Sequence, residues 1–370
     1  GVQTCALPIS ATNKAYLFDP ADSSWTALPA LPQATCGAGI AVLDNKIYLI
    51  GGGDAPLGNN YSTVRIFDPY NQSWSTAASM PAERSLFATG VINGKIYVAG
   101  GNSNTGGVNL PDYLYDPGTN TWSQAATMPG GRAFVSSAIL GGQLYVIGGT
   151  DNISGIGLSK VSIFNSDSLW KIGTSLNTPR WAPASCAVGD KIFTMGGSHW
   201  ELSMPAEFAT VEMYNPANKQ WTIVNPMPTA RRALSAVVLD NKIYTFGGMK
   251  GFSGVGITSN VVEKFDPDGL IVPVLNTPEY VSGSCLKQNT PNPFSEETSL
   301  NVHLEKSGEV NLTVYDAGGS VVQTVVRRQM QPGDYSFRLQ ASKMPNGIYI
   351  AELRVDAVKV DAIKMIVSNR

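Results

Sequence analysis

The sequence is poor in charge, in histidine and in long apolar runs. Charged residues make up 15% of its 370 residues and nearly cancel, leaving a net charge of −2. It has no basic stripe, so no nucleic acid partner and no anionic membrane surface is expected. No apolar stretch reaches the ~18 residues a spanning helix needs, so no transmembrane segment is expected. The only histidines are His199 and His303. With so few, and with no CxxC or other metal spacing, neither a zinc site nor any other cofactor is expected. Helical periodicity is missing too. The glycine runs are followed by no helix, which excludes a phosphate-binding loop.

What the chain does have is a repeat. Trp25, Trp74, Trp122, Trp170 and Trp221 each lie 26 residues before a glycine pair, at Gly51, Gly100, Gly148, Gly196 and Gly247. From glycine pair to the next tryptophan the distance varies: 23, 22, 22 and 25 residues. One half of the unit is therefore rigid in length and the other is elastic. A period near 50 residues belongs to a propeller blade or another stacked array. Within the unit that runs from Arg84 to Trp122, a run of small and apolar residues precedes an Asn93-Gly94 hairpin turn. The strand KIYVAGG follows, then a loop, the strand YLYDP, a turn, and a last strand opening at Trp122. Four short strands joined by tight turns make one antiparallel sheet. The Asp-Pro steps stop strands. The tryptophans, with Phe18, Phe67, Tyr115, Phe164 and Tyr214 upstream of them, are the large apolar bodies expected between adjacent sheets.

These units resemble kelch repeats in the arginine at the unit's start, the K-I-Y-x-x-G-G strand, the aromatic-Asp/Asn-Pro step and the tryptophan. The resemblance covers residues 11–278 and implies an all-β fold, a β-propeller whose first strand lines a central channel. After Phe265-Asp266-Pro267 the last unit lacks its tryptophan, so an irregular outer edge is expected there. The first copy holds only its last two strands, AYLFDP and SWTALPALP, ahead of five complete units. Six blades are expected, the first truncated. Residues 2–9, VQTCALPI, fit no blade strand and match one reading frame of a widely used sequencing adapter. Residues 1–10 thus read as non-native sequence on a metagenomic fragment, with a signal peptide lost upstream.

The composition changes after residue 278. Residues 279–290 read as a linker, and 291–370 hold strands of alternating polarity separated by turns at Gly318-Gly319, Pro332-Gly333 and Asn346-Gly347. That pattern predicts a small β-sandwich. Its segments QNTPNPFSEETSL, NLTVYDAGGSVV, PGDY, NGIYIAEL and KMIV resemble the C-terminal sorting domain of the type IX secretion system of Bacteroidota. The resemblance implies contact with that secretion machinery and a location outside the cell or on the outer-membrane surface. Cys36 and Cys186 lie in blades three units apart, and Cys285 lies in the linker, so all three are expected to be free thiols.

Function is expected on the elastic half. Between the glycine pair and the third-strand aromatic the loops measure 16, 15, 16, 18 and 18 residues. Because strands alternate in direction, these loops share one face with the start of each first strand, as binding loops on a rigid scaffold do. That face also receives Arg84, Arg132, Arg180 and Arg231, each 16 residues before its glycine pair, with Thr35 at the same point of the first complete unit. Four guanidinium groups around one mouth would suit an anionic ligand. Arginine is common at this point of kelch repeats, however, and the alternative is that these bond loop carbonyls. The loop SHWELSMPAEF brings His199, Trp200, Glu201, Met204 and Phe208, and the last loop brings Lys250 and Phe252. Asp54, Asn59, Asn60, Asp151 and Asn152 add polar groups suited to sugars. The reading is a secreted or cell-surface binding module for a glycan or protein ligand. The alternatives are an enzyme on acidic sugars, like the sialic-acid isomerases among bacterial kelch propellers, with a base such as Glu201, or a structural scaffold.

Overall fold

The computed structural model describes residues 2–3, 11–55, 58–105, 107–151, 156–165, 169–201, 204–250, 257–267, 272–274, 285–316, 320–342, 344–356 and 358–368. The chain divides into two compact units, Gly1–Thr277 and Pro278–Arg370. Among the described residues there is no helix.

Among the described residues the first unit contains one three-stranded and five four-stranded antiparallel sheets of propeller type. The third blade is typical. Its strands Ala88–Ile92, Lys95–Ala99, Tyr113–Asp116 and Thr121–Gln124 pair in that order. Asn93 and Gly94 take φ of 50° and 71° between the first two, as a two-residue hairpin turn requires. The innermost strands Gly39–Leu43, Ala88–Ile92, Ser136–Leu140, Ala184–Val188 and Ser235–Leu239 lie side by side in sequence order around the channel. The sixth blade does have an outer strand, Val272–Val274, where an irregular edge was expected.

One aromatic pair recurs across the two outer strands of a blade. Phe18–Trp25, Phe67–Trp74, Tyr115–Trp122, Phe164–Trp170 and Tyr214–Trp221 face each other with ring centroids 4.9–5.1 Å apart. The indole N–H then reaches back to the preceding blade. Trp74 donates to Pro29 O, Trp122 to Ala78 O, Trp170 to Ala126 O and Trp221 to Thr174 O. Each of these four tryptophans thus ties its blade to the preceding one, and Trp122 packs against a cluster drawn from both blades, Tyr48 and Ile50 with Ile96 and Val98. The ring closes through aromatics as well, since Phe18 and Trp25 of the first blade meet Phe246 of the sixth at 5.5 and 5.8 Å.

The first blade has a third strand. Val2 and Gln3, in the segment expected to fit no blade, pair with Leu17 and Tyr16. An unpaired strand edge presents free N–H and C=O groups, which accept any extended segment within reach.

The third blade solves a problem set by its loop. Elsewhere the first glycine of the pair donates its N–H to a backbone carbonyl of the loop: Gly51 to Thr63, Gly148 to Lys160, Gly196 to Thr210 and Gly247 to Val261. The carbonyl of the preceding residue receives a second N–H, as Ser62 O does from Met80 and Ser159 O from Leu176. The third blade's loop is one residue shorter than its nearest counterparts. There the Asp112 carboxylate stands in for both carbonyls, accepting Gly100 N at 3.1 Å and Met128 N at 2.7 Å. Burial pushes Asp112 up to about 6 from 3.8. The folded protein therefore holds the proton more tightly than the unfolded chain. The associated stability is fully present below the unfolded value and is lost as pH rises through about 6. Between pH 7.5 and 5 the wild type should gain about 1 kcal/mol that Asp112→Asn does not. Urea midpoints at the two pH values test this, and parallel shifts in both proteins would refute it.

The second unit is a β-sandwich. One sheet joins Cys285–Thr290, Glu297–Leu304 and Gly333–Gln340; the other joins Val321–Met330, Gly308–Asp316, Gly347–Val355 and Val358–Val367. Leu286, Leu300, Val302 and Leu304 of the first pack with Val310, Leu312, Val314, Leu353 and Met365 of the second. The linker expected over 279–290 is therefore shorter, because Cys285–Thr290 is a sheet strand. Its buried positions include Leu286 and the polar Asn289, so no apolar alternation is readable from sequence.

Candidate functional site

The four arginines are not a ligand site in this structure. Arg84, Arg132, Arg180 and Arg231 are each 0% exposed. Their backbones lie on the expected face, but the side chains turn back into the blade. Each donates to the carbonyl of the first glycine in its own pair: Arg84 to Gly100, Arg132 to Gly148, Arg180 to Gly196 and Arg231 to Gly247. In turn, the second glycine of the preceding blade donates to each arginine's carbonyl, from Gly52, Gly101, Gly149 and Gly197 respectively. One residue thus bonds the glycine pairs of two successive blades, which accounts for the fixed spacing of 16. Further donors meet Pro111 O, Val146 O, Ser162 Oγ, Thr210 O and Val261 O, while Arg84 Nε and Arg231 Nε have no partner among the described residues.

Two arginines have buried acids. Arg180 pairs with Glu212 at 2.7 Å and Arg231 with Glu263 at 2.6 Å. Glu212 also accepts the N–H groups of Asn177 and Thr178. The residue three before Arg231 is Pro228, which has no N–H, and Glu263 Oε1 has no partner among the described residues. Burial lowers all four arginines, Arg132 to about 10; the carboxylates oppose the effect for Arg180 and Arg231.

The mouth is built instead from the residue after each arginine, or after Thr35 in the second blade. Cys36, Ser85, Ala133, Trp181 and Arg232 form backbone bridges with Gly53, Asn102, Thr150, Ser198 and Met249, which follow the glycine pairs. The next residues, Gly37, Leu86, Phe134, Ala182 and Ala233, all take positive φ. Bonds from Leu86 N to Gly37 O, Ala182 N to Phe134 O and Ala233 N to Ala182 O run from blade to blade around the opening. Three of the five mouth positions carry small residues. The other two carry Trp181 and Arg232, whose guanidinium lies 5.6 Å from the Trp181 ring. Phe134 meets Trp181 edge-on at 5.3 Å, and Glu207 pairs with Arg232. Trp181 Nε1 and Ser198 Oγ, on bridged residues, have no hydrogen-bond partner among the described residues. One side of the mouth is therefore aromatic and charged, and the other side is small.

Three family models match the chain. The KLHDC2/KLHL20/DRC7 Kelch-repeats domain matches residues 6–197 and 113–248, and the Kelch motif matches 230–269. The chain belongs to the kelch-repeat family. A secretion system C-terminal sorting domain matches residues 290–368, so the kelch unit is followed by a domain for export through the type IX system. No curated protein matches significantly. Among solved structures, the "Structure of YjhT" superposes with a TM-score of 0.59 at 18% identity, covering 73% of this chain and 99% of that one. At that identity it shows a shared fold.

Around the kelch mouth the other expected residues are distributed unevenly. His199 Nδ1 accepts Gly157 N at 3.1 Å and so ties two neighbouring loops together. Phe208 is half-buried with the Arg180 guanidinium 5.3 Å from its ring. The backbone of Trp200, Glu201 and Met204 forms the hairpin Ser198–Glu201 with Met204–Glu207. Their side chains lie outside what is described, as do Phe252 and Asn152 altogether. Asp54 is engaged by Asn59 N and Nδ2 within its own loop, while Asn60 bonds Asn102 and Asn104 of the next blade. Asp151 is exposed, and Lys250 is half-buried, with burial lowering its pKa. Cys36 and Cys186 are buried free thiols, pushed up to about 11 and about 12 by burial. Sequence reasoning missed Phe134, Trp181, Glu207 and Arg232. A signal existed: of seven tryptophans five keep the lockstep, and Trp181 is surplus to it.

Proposed function

We propose that the kelch unit is an exported binding module whose ligand, a glycan or a protein segment, docks on the Phe134–Trp181–Arg232–Glu207 side of the mouth. The observation that carries this reading is the asymmetry of five equivalent positions, with a tryptophan and an arginine on two and small residues on three. An indole face beside an ion pair offers apolar contact and directional polar contact together. After export the protein acts at the cell surface or in the extracellular space. A glycan array on the full chain, followed by calorimetry on any hit, tests the proposal. Trp181→Ala and Glu207→Gln should each weaken binding at least about tenfold, the loss of one good contact. Binding unchanged in both variants would reject the mouth. A second reading is an enzyme on acidic sugars, with Arg232 holding a carboxylate and Glu207 as base. Accelerated exchange of sialic-acid anomers, followed by NMR, would favour it over simple binding.

A further inference from the structure

One glycine of the second blade is not explained by its backbone. Gly51 and Gly52 take φ of 58° and 86°, but Gly53, which follows them, does not take a positive φ. At the same bridged position the next four blades carry Asn102, Thr150, Ser198 and Met249. What sets Gly53 apart is the group of oxygens that faces it. An added Cβ would stand 2.7 Å from Asn59 O, 3.3 Å from Ala55 O and 3.3 Å from Asn60 Oδ1. All three are acceptors, and they come from one loop. That loop closes on itself through bonds from Asp54 N to Asn59 O and from Gly58 N to Ala55 O.

The Asn60 oxygen has no hydrogen-bond partner among the described residues, and the residue is 6% exposed. Its amide cannot be turned round. Nδ2 donates to Asn102 O at 3.2 Å, and the reverse orientation would set an oxygen against that carbonyl. The backbone N–H of Asn60 donates to Asn104 Oδ1 at 2.6 Å, so backbone and side chain are both tied to the third blade. A buried acceptor fixed beside two carbonyls, with no donor of its own, costs free energy unless something positive meets it. Asp54 is the only charged residue between Gly53 and Asn60 and adds negative charge to the same loop. Its carboxylate accepts Asn59 N and Nδ2 at 2.7 and 2.8 Å.

We propose that this loop binds a calcium ion, with Asn60 Oδ1, Asn59 O and Ala55 O as protein ligands and Asp54 as the balancing charge beside them. Carbonyl and amide oxygens suit a hard cation, and the three ligands offer no nitrogen or sulfur for zinc or copper. Magnesium demands near-ideal octahedral geometry and gives up its waters reluctantly, whereas calcium accepts irregular sets of oxygens. With a single carboxylate in the loop, the affinity belongs with that of extracellular calcium modules, a Kd on the order of 10⁻⁴–10⁻³ M. The ion fixes the Asp54–Asn60 loop against the third blade. Trp181 and Arg232 stand in the fifth and sixth blades, so the site is independent of ligand docking there. No spacing of histidines or acids announces it, because two of its three ligands are main-chain oxygens.

The test uses the full chain, stripped of divalent ions with EDTA and dialysed, then titrated with radioactive calcium in equilibrium dialysis. One equivalent should bind. Asn60→Ala should weaken that binding at least about tenfold, and so should Gly53→Ala, whose new Cβ fills the point the three oxygens face. The urea midpoint of the wild type, followed by tryptophan fluorescence, should rise in about 10 mM calcium chloride. It should rise less in magnesium chloride, and less in sodium chloride of equal ionic strength. A wild type that binds no calcium overturns the proposal, and that result needs no variant to fold. Calcium binding that is unchanged in Asn60→Ala puts the ion elsewhere and overturns it as well.

Discussion

Replacing Arg180 with methionine should destabilise the propeller by about 3–5 kcal/mol, because it strands the Glu212 carboxylate in the interior. Both side chains of this pair are 0% exposed and 2.7 Å apart. Methionine matches the stem but provides no donor, so Gly196 O loses the Arg180 bond and Thr210 O keeps the Gly196 N–H alone among the described residues. Arg132→Met removes an equally buried guanidinium whose hydrogen-bond partners among the described residues are Gly148 O, Val146 O and Ser162 Oγ. No carboxylate is abandoned there, and the expected cost is about 1–3 kcal/mol. The double variant Arg180→Met/Glu212→Leu should recover much of the single variant's loss, since removing both charges removes the desolvation penalty. Tryptophan fluorescence during urea unfolding reads the propeller alone, because all seven tryptophans precede the sorting domain. If Arg180→Met unfolds within about 1 kcal/mol of wild type, the arginine is not a structural bond and the mouth-site reading returns. That size of effect separates a buried pair from an exposed one.

The spacing of residues made the architecture readable, since spacing is what a stacked array repeats. Trp122 and Gly101 report the blade because each bonds an adjacent one, and a contact repeated between identical neighbours needs a constant length of chain. The direction of a side chain is not encoded in that way. Sequence spacing brings Arg84 and its counterparts to the loop face, which their backbones do occupy. The same spacing is what the bond from Arg84 to Gly100 O requires, and pattern alone does not separate the two. The candidate site is legible only as a departure. Trp181 and Arg232 stand where Ser85 and Ala133 are small, and the comparison emerges once the bridged position is known. Asp112 is a third kind of case. Its loop is visibly short, but that a carboxylate replaces two carbonyls follows only from the geometry of the N–H groups it meets.

The glycine pair gives the other large effect. Gly100→Ala should cost at least about 3 kcal/mol, from two sources that a control can separate. Gly100 takes φ of +68°, which an L-residue adopts at about 1–2 kcal/mol. An added Cβ would also stand 2.6 Å from Arg132 O, a backbone atom held by the N–H of Gly101 at 2.8 Å. That oxygen cannot move without opening the joint between two blades. Gly94 takes nearly the same conformation, φ +71°, in the exposed hairpin turn, where a new Cβ meets nothing within 4 Å. Gly94→Ala therefore pays the conformational term alone, and the difference between the two variants measures the clash. Urea unfolding followed by tryptophan fluorescence gives both values. Equal losses would mean that the glycines are kept for backbone conformation only. A larger loss at Gly100 would mean that the glycine pair marks a contact between blades, because Gly51, Gly148 and Gly196 each face the next arginine's carbonyl at 2.5–2.6 Å in the same way.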